Sequence, residues 1–324
     1  MSGLKECAAR VGNSPLVLLE GVYAKLECTN PCGSIKDRIV EYILERSEAQ
    51  GILSPGQRIV EATSGNTGIA YAYYARRKGY PITIVMPENM TEERKSIMRD
   101  LGAQLILCSE KGSFAEAASI RDQLARDNGW FNPDQFSNPL NEECHWATTG
   151  SEILAQVAAQ STAPIDAFVA GVGTGGTLMG VGRRLRESFP EMRLVAVEPA
   201  ESAVMTGGPA GTHGIGGIGD GFIPALAGDG NGGRSPLIDE VEVVATEDAR
   251  LEAQRLSTLG HCVGVSSGAN FIAAQRLARR FLTVVTVFPD SYAKYFSQGL
   301  RHCTPGACAF EHEPVVKPSL TVIS

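Results

Sequence analysis

The sequence predicts an α/β protein with largely parallel sheets, and three observations carry that reading. Short runs rich in Val, Ile and Thr alternate with longer stretches carrying Ala, Leu, Glu and Arg at helical spacing. Small-residue turns built from Gly, Ser and Thr fall between them, and 324 residues is long enough for about two domains with cores of their own. Strands are expected at 58–61, 82–86, 104–108, 167–170, 193–197, 241–244 and 283–288. Helices are expected at 34–50, 67–78, 91–101, 114–128, 177–187, 247–259 and 270–280. No repeat of fixed period is present. Segment 207–233 holds twelve glycines with Pro209 and Pro224, which excludes regular structure over most of its length. It falls between two strand candidates, so a long loop within a domain is expected, of the kind that often covers an active site.

Composition narrows the function classes. Hydrophobic content of 43% and charged content of 20% are ordinary for a soluble globular protein. A net charge of −7 without a concentrated basic stripe argues against nucleic-acid and anionic-membrane partners. Residues 1–15 lack the charged and apolar blocks of a signal peptide, and no apolar run approaches a membrane span, so a cytoplasmic enzyme is expected. Eight cysteines, at 7, 28, 32, 108, 144, 262, 303 and 308, lack the paired spacing of a disulfide framework or structural zinc site and read mostly as reduced thiols. His302, Cys303, Cys308 and His312 offer two His and two Cys, but the intervening Thr304-Pro305-Gly306-Ala307 reads as an ordinary loop, and no metal is expected.

Candidate chemistry begins at Asn30-Pro31-Cys32-Gly33-Ser34-Ile35-Lys36-Asp37-Arg38, which sets one lysine beside a Gly/Ser turn ahead of a helical pattern. A lysine at a helix start, partly desolvated and near positive potential, loses its proton and condenses with an aldehyde; a solvated surface lysine is the plain alternative. Three further loops bear on the choice. Glu61-Ala62-Thr63-Ser64-Gly65-Asn66-Thr67-Gly68 follows a strand and opens a helix, so its free N–H groups and hydroxyls suit a carboxylate. Gly171-Val172-Gly173-Thr174-Gly175-Gly176-Thr177 has the same setting and suits a phosphate at the helix dipole. It also satisfies G-x-G-x-x-G, with Glu198 at the end of the next strand, so a nicotinamide-dependent oxidoreductase is an alternative. Against that alternative, the motif lies in mid-chain and leaves Lys36 and the 63–68 loop without a role. The third loop, Gly264-Val265-Ser266-Ser267-Gly268-Ala269-Asn270, is expected to precede another helix.

Jointly these segments resemble the cysteine synthase (O-acetylserine sulfhydrylase) and cystathionine β-synthase family of pyridoxal-phosphate enzymes of fold type II. The resemblance runs from Val11-Gly12-Asn13-Ser14-Pro15-Leu16 to Pro289-Asp290-Ser291. It implies a tryptophan synthase β-like fold of two domains, each with a mainly parallel twisted sheet flanked by helices. The implied division is 36–145 as a smaller domain, 1–35 with 146–310 as a larger one, and 311–324 as a tail. Lys36 then forms the Schiff base with pyridoxal 5'-phosphate, and Asn66 contacts the ring hydroxyl. Gly173, Thr174, Gly175, Gly176 and Thr177 match the phosphate cup, and Ser266 matches the partner of the pyridine nitrogen. Thr63, Ser64, Gly65, Thr67, Gln135 and Gly217 take the substrate side, Gln135 within Asp134-Gln135-Phe136-Ser137-Asn138-Pro139.

The implied reaction is β-replacement on an O-activated L-serine through an aminoacrylate, first O-acetyl-L-serine with sulfide giving L-cysteine and acetate. Lys36 acts in it as anchor and then as base. A neutral serine at the ring nitrogen leaves that nitrogen largely unprotonated, which suits β-elimination and β-replacement better than transamination. Other nucleophiles stay open, including those giving cystathionine, β-cyanoalanine or a diamino acid, and so does a catalytically silent relative. The 207–233 loop has no Lys or Arg, which disfavours O-phosphoserine. Asp220 and Cys32 depart from the family's usual small residues. Asp220 reads either as the holder of a cationic partner or, slightly preferred, as half of a surface ion pair. Cys32 reads as a buried filler rather than a redox-sensitive thiol. His145 and His261 read as structural. A homodimer is implied by the resemblance.

Overall fold

The computed structural model describes residues 10–63, 65–109, 114–295 and 300. Ser64, Cys7 and the His302 to His312 group, with the 311–324 tail, lie outside the described residues. The strands are β1 (Leu16–Leu19), β2 (Val22–Leu26), β3 (Ile59–Ala62), β4 (Ile82–Pro87), β5 (Gln104–Cys108), β6 (Ala167–Gly171), β7 (Arg193–Pro199), β8 (Glu240–Val244) and β9 (Val284–Phe288). They form a six-stranded sheet ordered β1-β2-β9-β6-β7-β8 and a three-stranded sheet ordered β3-β4-β5. Every pairing is parallel except the β1–β2 hairpin.

The helices are α1 (Lys36–Ala49), α2 (Asn66–Lys78), α3 (Glu92–Asp100), α4 (Phe114–Asn128), α5 (Pro139–Cys144), α6 (Ser151–Ala158), α7 (Gly176–Arg186), α8 (Thr246–Thr258) and α9 (Val265–Leu277). None of them is long and apolar enough to cross a membrane. Both faces of each sheet are covered, as parallel sheets require. In the larger sheet Val169, Val195 and Val197 pack with α9 on one face, while Phe168, Leu194 and Ala196 pack with α7 on the other. In the smaller sheet Ile59, Ile82, Ile84 and Met86 face α1 and α2, and Val60, Ala62 and Val85 face α4.

The expected strands and six of the seven expected helices begin and end within two residues of their observed bounds. Three features depart from expectation. The β1–β2 hairpin was not anticipated; its turn is Glu20-Gly21, with φ of 48° and 82°, and both residues being left-handed marks the two-residue turn that matches strand twist. Residues 139–158 form α5, a π-helical stretch His145–Gly150 and α6, a continuous helical run that the sequence reading passed over. Asn138 caps it through Oδ1 to the Leu140 N–H, with Pro139 at the first helical position, a start signal present in the sequence. The third difference is that segment 264–270 is not a loop ahead of a helix but the first turns of α9. Packing overrides the weak helix propensity of its Ser, Gly and Asn: a Cβ on Gly268 would lie 2.1 Å from the Ala249 carbonyl oxygen of α8.

Candidate active site at the strand ends

The carboxyl ends of β3, β6 and β9 converge, and each leads into a loop that lines one cavity of about 270 Å³ or its narrow extension. This is where parallel α/β sheets bind ligands. Lys36, Asn66, Gly173, Thr174 and Gly217 line both parts. Thr63, Gly65, Thr67 and Gln135 line only the wide part, and Gly175, Thr177 and Ser266 only the narrow part. Gly176 is buried beneath the same loop. The structure therefore brings the described sequence-predicted residues together, with Lys36 at the junction.

Local chain geometry leaves donors free at this point. The helices α2 and α7 start at Gly65 and Gly175 without a side-chain cap, so their first N–H groups are available to a ligand, whereas the first N–H groups of α1 bond back to Ser34 and Ile35 and the Ser267 N–H of α9 bonds back to Gly264. The glycines of the 173–176 loop are required by close contacts. A Cβ would fall 2.2 Å from the Gly217 carbonyl oxygen at Gly173 and 2.0 Å from Asn141 Oδ1 at Gly176. The cradle thus exposes backbone N–H groups with no room for side chains, which fits a phosphate group. Ser266 is buried and its hydroxyl makes no hydrogen bond to another described residue, so it is free toward the cavity.

The Lys36 amine has no hydrogen-bonding partner among the described residues, and burial lowers its pKa to about 8 against the opposing pull of Asp220 and Asp290. A neutral amine near physiological pH is a nucleophile and a base. Thr67 donates to Gln135 Oε1 at 2.7 Å, and Asn141 Nδ2 bridges the Gln135 carbonyl and Thr174 Oγ1 at 2.8 and 2.9 Å, tying the carboxylate side to the phosphate side.

Several readings need correction. Asp220 forms no ion pair among the described residues; it is exposed and lines the cavity together with Lys36. The protein around it raises its pKa, with Lys36 and His213 pulling the other way. The plain structural reading of His145 was incomplete: it is fully buried in the π-helical stretch, with Nδ1 2.8 Å from Thr149 Oγ1 and Nε2 3.2 Å from Thr177 Oγ1, so it orients a phosphate-loop hydroxyl. Cys32 is a buried thiol whose pKa is pushed well up by burial and by Asp37, which makes it unreactive. The sequence reading also missed Arg94 of α3, which lines the cavity against Gly65 and lies 5.3 Å from the Tyr295 ring, a positive group that the 207–233 loop lacks. Within Glu92-Glu93-Arg94-Lys95 it reads as one more solvated helix charge, so the sequence held no signal for it. Phe222 of the glycine-rich loop stacks with Phe114 and packs at a tilt against Phe136, two residues that line the cavity. The nicotinamide alternative fails on Glu198, which is buried and accepts hydrogen bonds from the Met205 and Thr206 N–H groups and the Thr206 hydroxyl at 2.7 to 3.0 Å. Its carboxylate is used up in a turn and cannot bind a ribose.

Comparison with known proteins agrees with this geometry. A family model described as pyridoxal-phosphate dependent enzyme matches residues 8–290. A cysteine synthase of Staphylococcus aureus is 40% identical over 302 residues, covering 90% of this chain and 94% of the relative. The crystal structure of a hydrogen sulfide-producing enzyme from Fusobacterium nucleatum superposes with a TM-score of 0.84 at 39% identity, covering 91% of this chain and 90% of that one. An O-acetylserine dependent cystathionine beta-synthase from Helicobacter pylori gives a TM-score of 0.84 at 33% identity, covering 93% and 99%.

Proposed function

The chain belongs to the family of pyridoxal-phosphate dependent enzymes, and on that premise we propose that it converts O-acetyl-L-serine and sulfide to L-cysteine and acetate. Pyridoxal-phosphate-dependent β-replacement is the reaction class that the matched relatives support, and the pairing of substrates is the proposal. The observation that carries it is the buried Lys36 amine at the junction of the two cavity parts, with its pKa lowered to about 8.

When bound, the cofactor supplies an aldehyde for the lysine amine and a conjugated ring that takes up the electron pair left at the substrate Cα. The start of α7, with Thr174 and Thr177, suits its phosphate; Asn66 suits its ring hydroxyl and Ser266 its ring nitrogen. On the open side the N–H groups at the start of α2, with Thr63, Gly65, Thr67 and Gln135, suit the substrate carboxylate, and Gly217 lines the same part. Lys36 Nζ takes the Cα proton and returns it after the nucleophile has added to Cβ. The neutral Ser266 hydroxyl would leave the ring nitrogen largely unprotonated, which limits spread of the Cα electron pair into the ring and favours loss of the β-substituent. A homodimer, and a division of the chain into 36–145 against 1–35 with 146–310, belong to the same proposal.

Asp220 favours a second reading of the nucleophile. A carboxylate facing the amine across the cavity repels HS⁻ and attracts a nucleophile that carries an ammonium group, such as an amino thiol. Borohydride reduction followed by peptide mapping tests the central claim: the cofactor mass is expected on Lys36, and K36A should lose at least ~10³-fold in turnover. An adduct on another lysine overturns the site. An adduct on Lys36 without acetate release from O-acetyl-L-serine overturns the substrate.

A further inference from the structure

Behind Asn66 lies a buried charged group that the reaction does not use. Asp290 is fully buried and Lys294 is 5% exposed. Lys294 Nζ donates to Asn66 Oδ1 at 2.8 Å and to the Gly33 carbonyl oxygen at 3.3 Å. Asn66 Nδ2 donates to Asp290 Oδ2 at 2.8 Å, and the Tyr295 hydroxyl donates to the same oxygen at 2.7 Å. Asp290 is also paired through its backbone: its carbonyl oxygen accepts from the Gly264 N–H at 3.0 Å at the start of α9. Three cavity-lining segments, the Lys36 turn, the start of α2 and the start of α9, are thus tied to Lys294 and Asp290.

The arrangement decides which way one amide points. An asparagine carries an acceptor oxygen and two N–H donors that are interchangeable in shape. Here the oxygen faces an ammonium, which only donates, and the nitrogen faces a carboxylate, which only accepts. Rotating the amide by half a turn sets N–H against NH₃⁺ and oxygen against carboxylate, so one orientation is held. One N–H is spent on Asp290, and the other is left for the cavity that Asn66 lines.

We propose that Lys294 and Asp290 are positioning residues that lock the Asn66 amide as a hydrogen-bond donor toward an anionic oxygen on the cofactor ring. The inference rests on the proposed placement of the ring hydroxyl beside Asn66. The Lys294 ammonium, 2.8 Å from Asn66 Oδ1, also offsets the Asp290 charge at the other end of the amide, in a dry setting where both are weakly screened.

The test compares N66A, K294M, K294R and D290N holoenzymes by two readouts other than turnover. These are the pH at which the visible band of the bound cofactor changes, and the dissociation constant from titrating cofactor-free protein with pyridoxal phosphate. Loss of a donor and a cation at an anionic oxygen holds its proton to higher pH. K294M is therefore expected to move the midpoint up by about one pH unit and to weaken cofactor binding about 10-fold, with K294R restoring most of both. D290N frees the amide to turn but also removes a negative charge near the same oxygen, so it is expected to weaken cofactor binding without the upward shift of K294M. If N66A leaves the midpoint unchanged, the placement of the ring hydroxyl at Asn66 is wrong. If N66A moves it while K294M, folded by circular dichroism, does not, and D290N leaves the affinity unchanged, the placement stands and the lock is overturned. Should K294M fail to fold, D290N and K294R decide by the same readouts.

Discussion

Asp220 shows how a single side chain changes meaning once its surroundings are known. In sequence it is one acid in a glycine-rich loop, and an ion pair at the surface is the ordinary fate of such a residue. In the structure it is exposed at the cavity that Lys36 also lines, where its charge acts on whatever enters. Replacing it by serine removes the repulsion of an anion and the attraction of an ammonium together. D220S is expected to raise kcat/KM for sulfide about 3- to 10-fold and to lower it for an amino thiol such as L-homocysteine by about 10-fold. Steady-state rates with both nucleophiles check this, and equal shifts for the two would remove Asp220 from nucleophile selection. The place of Lys36 in the cavity was legible, because a lysine in a small-residue turn at a helix start has a local signature. Lys294 and Arg94 were not, since nothing adjacent to them in sequence distinguishes a buried lysine or arginine from a solvated one.

At the scale of elements, the phosphate-loop helix α7 depends on its neighbour α5 more than on its own sequence. Gly176 opens α7 at the point where Asn141 of α5 crosses it, and Asn141 holds the loop by bridging Thr174 and Gln135. A methyl group at 176 meets Asn141 Oδ1 at 2.0 Å and has to displace a fully buried amide. G176A is expected to weaken pyridoxal-phosphate binding about 10-fold or more and to lower Tm by a few degrees, read by fluorescence titration and calorimetry. Unchanged affinity would mean that the cradle tolerates a side chain and the glycine has no binding role. The same region holds the elements that sequence reasoning passed over. Asn138-Pro139 marked the start of α5, but the π-helical stretch after it carries no local code. It is fixed by contact with α7, where a Cβ on Gly150 would press against Arg184 at 2.7 Å.

Across the whole molecule, a buried network joins segments far apart in the chain. Arg38 of α1 bonds Glu27 at 2.7 and 2.8 Å and Glu152 of α6 at 2.7 Å, and Lys25 of β2 bonds Glu152 at 2.7 Å. Burial alone pushes the Glu152 carboxyl up, but the Arg38 and Lys25 bonds outweigh it and hold its pKa at about 2, below the ordinary 4.5. With the folded value lower than the unfolded one, Glu152 contributes fully above pH 4.5 and loses that contribution as pH falls toward 2. Urea midpoints of the native protein should therefore drop through this window, whereas E152Q should be less stable by about 3 kcal/mol at neutral pH and flatter below it. A native-like slope in E152Q would show that other carboxylates carry the acid sensitivity.

By itself the sequence pointed to seven of the nine described strands and seven of the nine described helices in order, the glycine and threonine loops between them, and Lys36 as the candidate amine. Each of these follows from residues within a few positions of one another, where hydrophobic period and turn chemistry act directly. Only the tertiary structure decided that Asp220 faces the cavity, that His145 orients Thr177, that Glu198 is consumed by a turn, and that Lys294 and Asp290 hold Asn66 from more than two hundred residues away. Those facts depend on which charges are taken out of water together, and desolvation is a property of the packed surroundings rather than of the local chain.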